Sequence, residues 1–491
     1  MPSLVHLPAE LLLKVAKYVA APKKDMSEYS EHNDRGRDYR SLSRLVRTCR
    51  QLFAIAQPVL YHSVGGPGGC GRLIRTLIQR PDLAAMVKDL YIGDDWGLDN
   101  NFRPVIRDED HDGEDGDGED GEQWLLSPDD AALFTKVVEK YQLVSLEESF
   151  GEDEAGEREV MPAVLPSVPS DGVDDDESKS LTGTLATIAI LQCLNVERIM
   201  LTTYYWTIAV PKKVDFTFNS FHELYLAHGD TEMSAGADRD LCWLFQAAPS
   251  LVRLKGHMIG SFSAKISSKS LKSLELTDSH IVEEEVEGIF RSFPNLELFA
   301  YHAGGATVAE SDDGATPRQL VAAMSRCKET LKYIDLDWTD SFEMEYGDWD
   351  DGCLVETLKS FRNLEEAAVH LDGFGVDAES IDAEFFKRVY PSSIRRVKWC
   401  RYGRRVQALD TACLLAISNT DFPHLQELSL VNYSLEESER ECIIRHFNDA
   451  GIRLKVTSTI FEYPANWAEL MRNQEEGGEG EEDEEDEDDG K

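Results

Sequence analysis

FPNLELFAY (293–301), ETLKYIDLDW (329–338), FRNLEEAAVH (361–370), SSIRRVKWC (392–400) and FPHLQELSLV (422–431) are variations on one phrase. A short lead-in, often carrying proline or asparagine, precedes a core of the form apolar-x-x-apolar-x-apolar. The alternation inside that core is the period of a strand with one buried face. The same core recurs as VKDLYI (87–92), VERIML (196–201), FHELYL (221–226) and LKSLEL (271–276), with LVRLKG (251–256) a weaker copy. From Leu224 the middle apolar residues run through Leu254, Leu274, Phe299, Ile334, Ala367 and Val397 to Leu428, spaced 20 to 35 residues apart. Units of that length cannot bury their apolar side alone, and stacking gives them a shared core. The expected fold class is therefore α/β, a solenoid in which each strand alternates with a short helical piece.

Outward toward the N-terminus the pattern changes. Leu11, Leu12, Val15, Tyr18 and Val19 recur at helical spacing behind Leu7-Pro8, and proline fits a first helical turn because its missing N–H would be unpaired there anyway. A polar stretch over 22–40 reads as a loop. A second helix then carries Leu42, Leu45, Val46, Cys49, Leu52 and Phe53 on one side, with Pro58 as its stop and LYHSV (60–64) as a short strand. These apolar faces exceed what two short helices hide from each other, so an external partner is expected.

Charge is the other dominant feature. The 491 residues carry 92 Asp and Glu against 50 Lys and Arg, a net charge of -42. The excess sits in Asp108–Glu122, Glu147–Glu159, Asp171–Glu177 and Glu475–Asp489, which hold ten, seven, five and twelve acids. Such tracts read as disordered insertions and an acidic tail. The field repels nucleic acid and anionic membrane, so neither is an expected partner. No stretch approaches the roughly 20 apolar residues of a membrane span, and the N-terminus lacks the basic start of a secretory signal. The nine cysteines show no zinc or redox spacing. The expected location is the cytoplasm, the nucleus or both, with free thiols.

The N-terminal residues carry a resemblance. LPAELLLKVAKYV followed by SLSRLVRTCRQLFAIAQPVLYHSV resembles an F-box domain of the fungal type, through Leu7-Pro8, Glu10-Leu11-Leu12, Val15, Val19, Leu42, Leu45, Cys49-Arg50, Leu52 and the Pro58…Leu60-Tyr61 ending. The stretch 73–92 and the repeats behind it are similar to those of F-box proteins with divergent leucine-rich repeats. Two departures stand out: the 22–40 loop is longer than the family's usual link, and Ser279, Thr339, Asp372 and Tyr433 replace the repeat asparagine. The resemblance implies a small helical F-box (1–64), a hinge and first repeat (65–107) and an acidic, largely disordered insertion with a short helix near 128–142 (108–180). An irregular leucine-rich-repeat solenoid (181–472) and a disordered acidic tail (473–491) complete the chain.

What the family does follows from the same resemblance. An F-box docks on the Skp-type adaptor of a cullin-based ubiquitin ligase, and the repeats hold a protein substrate. The chain would be a non-catalytic subunit needing no cofactor. Adaptor contacts would come from Leu7, Pro8, Leu11, Leu12, Val15, Val19, Leu42, Leu45, Cys49 and Leu52. The alternative is a repeat scaffold outside any ligase, binding basic proteins through its acidic tracts.

Three further patterns carry chemical signals. Gly66-Pro67-Gly68-Gly69-Cys70-Gly71 fits a dinucleotide fingerprint, but Pro67 removes an N–H where phosphate needs one, so a hinge is expected. Asp108 to Glu119 fits a calcium loop, yet its eighth position is Asp115 rather than an apolar residue. No metal site and no catalytic constellation is expected. RRVKWCRYGRR (395–405) holds six basic residues and no acid. It is either a solvated edge or a site where Lys398, Arg401, Arg404 and Arg405 receive an acidic or phosphorylated segment, the chain's own tail being one candidate.

Overall fold

The computed structural model describes residues 7–20, 39–65, 70–93, 128–146, 160–162, 175–203, 208–228, 235–237, 241–262, 266–304, 314–338, 353, 355–370, 384–400, 414, 417, 421–431 and 437–457. The glycine stretch over 66–69, the calcium-like pattern at 108–119, Arg401, Arg404, Arg405 and the acidic tail lie outside the described residues.

Among the described residues the first elements are three helices, Ala9–Ala20 (α1), Tyr39–Val46 (α2) and Arg50–Leu60 (α3). The second helix expected from Leu42 to Pro58 is thus two. The Thr48 hydroxyl donates to the Arg44 carbonyl at 3.0 Å and closes α2. Cys49 is then extended, with φ -160° and ψ 166°, and starts α3. Pro58 lies inside α3 rather than beyond it. In the last turn a missing N–H removes a single bond, and the Tyr61 amide still reaches the Gln57 carbonyl at 3.0 Å.

The array follows. Its first elements are Ser63–Val64 (β1), Cys70–Gln79 (α4), Pro81–Ala84 (α5), Asp89–Ile92 (β2), Pro128–Tyr141 (α6), Leu143–Leu146 (β3), Val160–Pro162 (β4) and Asp175–Gln192 (α7). Next come Arg198–Thr203 (β5), Val210–Pro211 (β6), Glu223–His228 (β7), Ala235–Ala237 (β8), Cys242–Ala247 (α8), Arg253–His257 (β9), Ile259–Phe262 (β10), Ser273–Ser279 (β11) and Glu283–Ser292 (α9). The last are Leu298–Ala303 (β12), Pro317–Met324 (α10), Tyr333–Asp337 (β13), Glu366–His370 (β14), Phe385–Val389 (α11), Arg396–Cys400 (β15), Glu427–Val431 (β16), Glu437–Asp449 (α12) and Arg453–Thr457 (β17).

Twelve of these strands form one parallel sheet in the order β1-β2-β5-β7-β9-β11-β12-β13-β14-β15-β16-β17. Each joins the strand before it in the chain once β3, β4, β6, β8 and β10 are set aside in two small side sheets. This is a solenoid-like α/β arrangement. Every phrase found in the sequence supplies a strand of this sheet, and Arg453–Thr457 adds a further one. The stretch 108–180, expected to be disordered around one helix, also holds β3, β4 and the first turn of α7. Asp130 of α6 is buried and paired with Arg75 of α4, which ties this part to the first repeat.

Register explains the phrase. Leu224, Leu254, Leu274, Phe299, Ile334, Ala367, Val397 and Leu428 are Cα partners along one line across the sheet. All are buried, and Leu226, Leu276, Tyr301, Leu336, Val369, Trp399 and Leu430 form a second buried line two residues on. Residues between these lines point to the open face, as strand alternation requires. Consecutive units are also stitched at their lead-ins. The Asn195, Asn295 and Asn363 amides donate to the carbonyls of Ala85, Lys269 and Glu329 in the preceding unit, at 3.3, 2.8 and 2.7 Å.

Candidate functional site

The three N-terminal helices enclose a small core of Ala16, Leu42 and Ala56, with Val19, Leu45, Val46, Val59 and Leu60 packed against it. The expected adaptor contacts divide accordingly. Leu12, Leu42 and Leu52 are buried, so these three act from inside the helical unit and not as its surface. A third helix packs over faces that two helices would have left open. Val15, Val19, Leu45, Cys49 and Leu7 are half-buried, and Pro8 is exposed. The Pro8 carbonyl accepts from the Leu11 and Leu12 amides at 3.0 and 3.1 Å, so Pro8 sets the first turn of α1.

What remains outside is apolar. Leu11 is 43% exposed, Leu13 37%, Tyr18 84% and Phe53 44%. Among the described residues only Leu194 joins them as an exposed large hydrophobic residue. Helix α1 therefore has two apolar stripes. Leu12, Ala16 and Val19 face the helical core, while Leu11, Val15 and Tyr18, at positions i, i+4 and i+7, form a second stripe beside it. Tyr18 and Phe53 stand on the apolar faces that the sequence marks, whereas Leu13 falls outside that periodicity, which also cannot say which of two stripes is covered.

The second surface is the open face of the sheet. It is laced by ion pairs between neighbouring strands. On the face itself Lys255 meets Glu275 at 3.4 Å, and along the lead-ins just before the strands Lys88 meets Glu197 at 3.0 Å and Glu297 sits between Lys272 and Lys332 at 3.1 and 2.7 Å. Lys332 and Lys272 hold the Glu297 carboxyl below the usual carboxylate range. The middle of this face is acidic: Asp278 lies 3.2 Å from His257, and Asp335 lies 3.6 Å from His302 and accepts from the Tyr333 hydroxyl at 3.1 Å. Burial pulls the His302 pKa down, but Asp335, Asp337 and Asp278 outweigh it, and the net shift is upward. Tyr225 is pushed up to about 12 by burial, with Asp278 adding to it.

Further along, the sign reverses. Lys398 is exposed on β15, and its cross-strand neighbours are Ala368 and Ser429. Arg396, Arg453 and Lys455 share this end of the face. Lys455 and Arg453 both approach Glu427, at 2.6 and 3.4 Å, and hold its carboxyl below the usual range. Of the basic residues expected to receive a substrate, Lys398 is placed on this surface, while the other three lie outside the described residues.

Among the described residues, no group of three His, Cys, Asp or Glu side chains is arranged to hold a metal ion. No helix among them is long and apolar enough to cross a membrane. No protein-family model matches the sequence, and no curated protein is significantly similar to it.

Proposed function

We propose that the chain is the substrate-receptor subunit of a Skp-adaptor, cullin and F-box ubiquitin ligase. In this reading the N-terminal helices are the F-box, and the sheet array is a set of divergent leucine-rich repeats that holds a protein substrate. The observation that carries it is the second apolar stripe of α1. Four of the five exposed large hydrophobic side chains among the described residues sit on α1 and α3. Exposed apolar groups concentrated in one small unit mark a protein-binding surface. The array contributes proximity: a rigid sheet holds the substrate at a fixed distance from the transfer site, and no covalent chemistry is required of this chain.

Co-expression with a Skp-type adaptor, followed by affinity capture, tests the reading. Wild type should hold the adaptor in equimolar amounts, and Leu11→Asp/Tyr18→Asp should lose it while keeping its fold. A folded wild-type chain that captures no adaptor would overturn the reading. The repeat scaffold that binds basic proteins through its acidic tracts would then lead.

A further inference from the structure

We propose that the acidic tail, Glu475–Asp489, folds back onto the open face of β15–β17 and closes that face to other acidic ligands. The proposal concerns regulation of the sheet surface and is independent of adaptor docking.

The first ground is a local charge surplus in a chain of net charge -42. Arg396, Lys398, Arg453 and Lys455 are all exposed on this face. Arg396 is matched by Glu366 from the neighbouring strand. Glu427 serves both Lys455 and Arg453, which leaves one cation in excess. Lys398 lies between alanine and serine on the adjoining strands, and no carboxylate among the described residues pairs with it. Two cations are thus available to an anionic segment, one on β15 and one on β17, about 10 Å apart across β16.

The second ground is the tether. The described chain ends at Thr457, on the strand that bears Arg453 and Lys455. Glu475 follows 18 residues later. An extended chain of that length reaches up to about 60 Å, whereas crossing from β17 to β15 needs only about 10 Å. Such a tether holds the tail at an effective concentration on the order of millimolar. The other acidic tracts are tethered near β2 to α7, toward the opposite end of the sheet.

The third ground confines the contact. Toward the middle of the sheet, Asp278, Asp335 and Asp337 repel the tail's twelve carboxylates. The segment is held to the strands where the sign is positive. Exposed pairs of this kind are individually weak and screened by salt, so the tail acts through many charges at once and a competing acidic ligand can displace it.

Two measurements on the full chain test this. Zero-length carbodiimide coupling, read by mass spectrometry, should link Lys398 and Lys455 to carboxylates of Glu475–Asp489 within one molecule. The yield should fall at least about fivefold in 1 M NaCl, where the screening length is about 3 Å. In the second, fluorescein-labelled hexaglutamate is titrated into wild type and into a full-length variant with the tail's acids changed to Gln and Asn. The neutral-tail variant should bind at least about tenfold more tightly, and adding Lys398→Glu/Lys455→Glu to it should remove the gain. Tail links absent from both lysines, links found only between molecules, or equal hexaglutamate affinity in the two chains would each overturn the proposal.

Discussion

Arg198 grips Asp89 through two parallel hydrogen bonds of 2.8 Å, which clamp β5 to β2. On its other side Asp89 accepts from the Ser63 hydroxyl at 2.6 Å, so one carboxylate joins β1, β2 and β5. This is where the chain leaves the helical unit and enters the sheet. Burial raises the Asp89 pKa, but the bonds from Arg198 and Ser63 outweigh it and the net shift is downward.

A pH dependence follows from that direction. A carboxyl with a depressed folded pKa adds stability above its unfolded value, near pH 4, and loses it as the pH falls through the folded value. The Arg198 side chain is 54% exposed, so screening limits the pair to about 0.5–1 kcal/mol. Arg198→Gln should lower urea-unfolding stability by that amount at pH 7. The gap from wild type should narrow steadily below pH 4. A gap that stays constant down to pH 3 would show that the charge pairing contributes nothing.

The two stripes of α1 should separate under substitution. Leu12→Ala removes a fully buried side chain and should cost about 2–4 kcal/mol. Tyr18→Ala, at 84% exposure, should change stability by less than about 0.5 kcal/mol. Thermal unfolding followed by circular dichroism compares them. Similar losses for both would mean that the outer stripe packs against part of the chain itself and is not free for a partner.

Much of the sheet was legible because its signal is local. Each strand needs two inward apolar residues two apart, and that spacing survives in the sequence even where the repeat length drifts. Three things were not legible. The break between α2 and α3 rests on a threonine hydroxyl and one extended cysteine, which leave no mark on apolar periodicity. Leu454 and Val456 of β17 are only half-buried at the end of the sheet, and the last unit, IRLKVT, has one residue rather than two between its first two apolar positions, so it does not show the phrase. The functional surfaces were the least legible, because Lys398 gains its meaning from Ala368 and Ser429, which come from other units.

LVRLKG reads as a weak copy because its last apolar position is Gly256, and the packing shows why. A Cβ at Gly256 would lie 2.7 Å from Leu276 and 2.8 Å from Ile259. Ile259, on β10, occupies the room that the strand's own side chain takes in other units. Gly256→Ala should therefore overpack the core and destabilise by about 1–3 kcal/mol, whereas a glycine merely tolerated in a strand would be improved by alanine. Chemical denaturation of the single variant decides between the signs. In a double variant with Ile259→Ala the loss should fall short of the sum of the two single losses, since that change removes the Cγ1 atom that the new methyl meets.

The core beneath β15 contains one polar bond on which its packing depends. Trp399 donates its indole N–H to the Tyr390 hydroxyl at 2.7 Å, both side chains being almost fully buried. Burial raises the Tyr390 pKa, so the hydroxyl stays protonated and keeps a lone pair for the indole. Tyr390→Phe leaves the ring stack with Phe386 in place but deprives the indole of its acceptor. An unsatisfied buried donor costs about 1–3 kcal/mol. Trp399→Phe removes the donor, opens a cavity and should cost more, about 3 kcal/mol. The double variant removes both polar atoms, so its loss should fall short of the sum of the single losses by at least about 0.5 kcal/mol. Strict additivity in urea unfolding would mean that the indole finds another acceptor when the hydroxyl is gone, and that ring packing alone sets this end of the sheet.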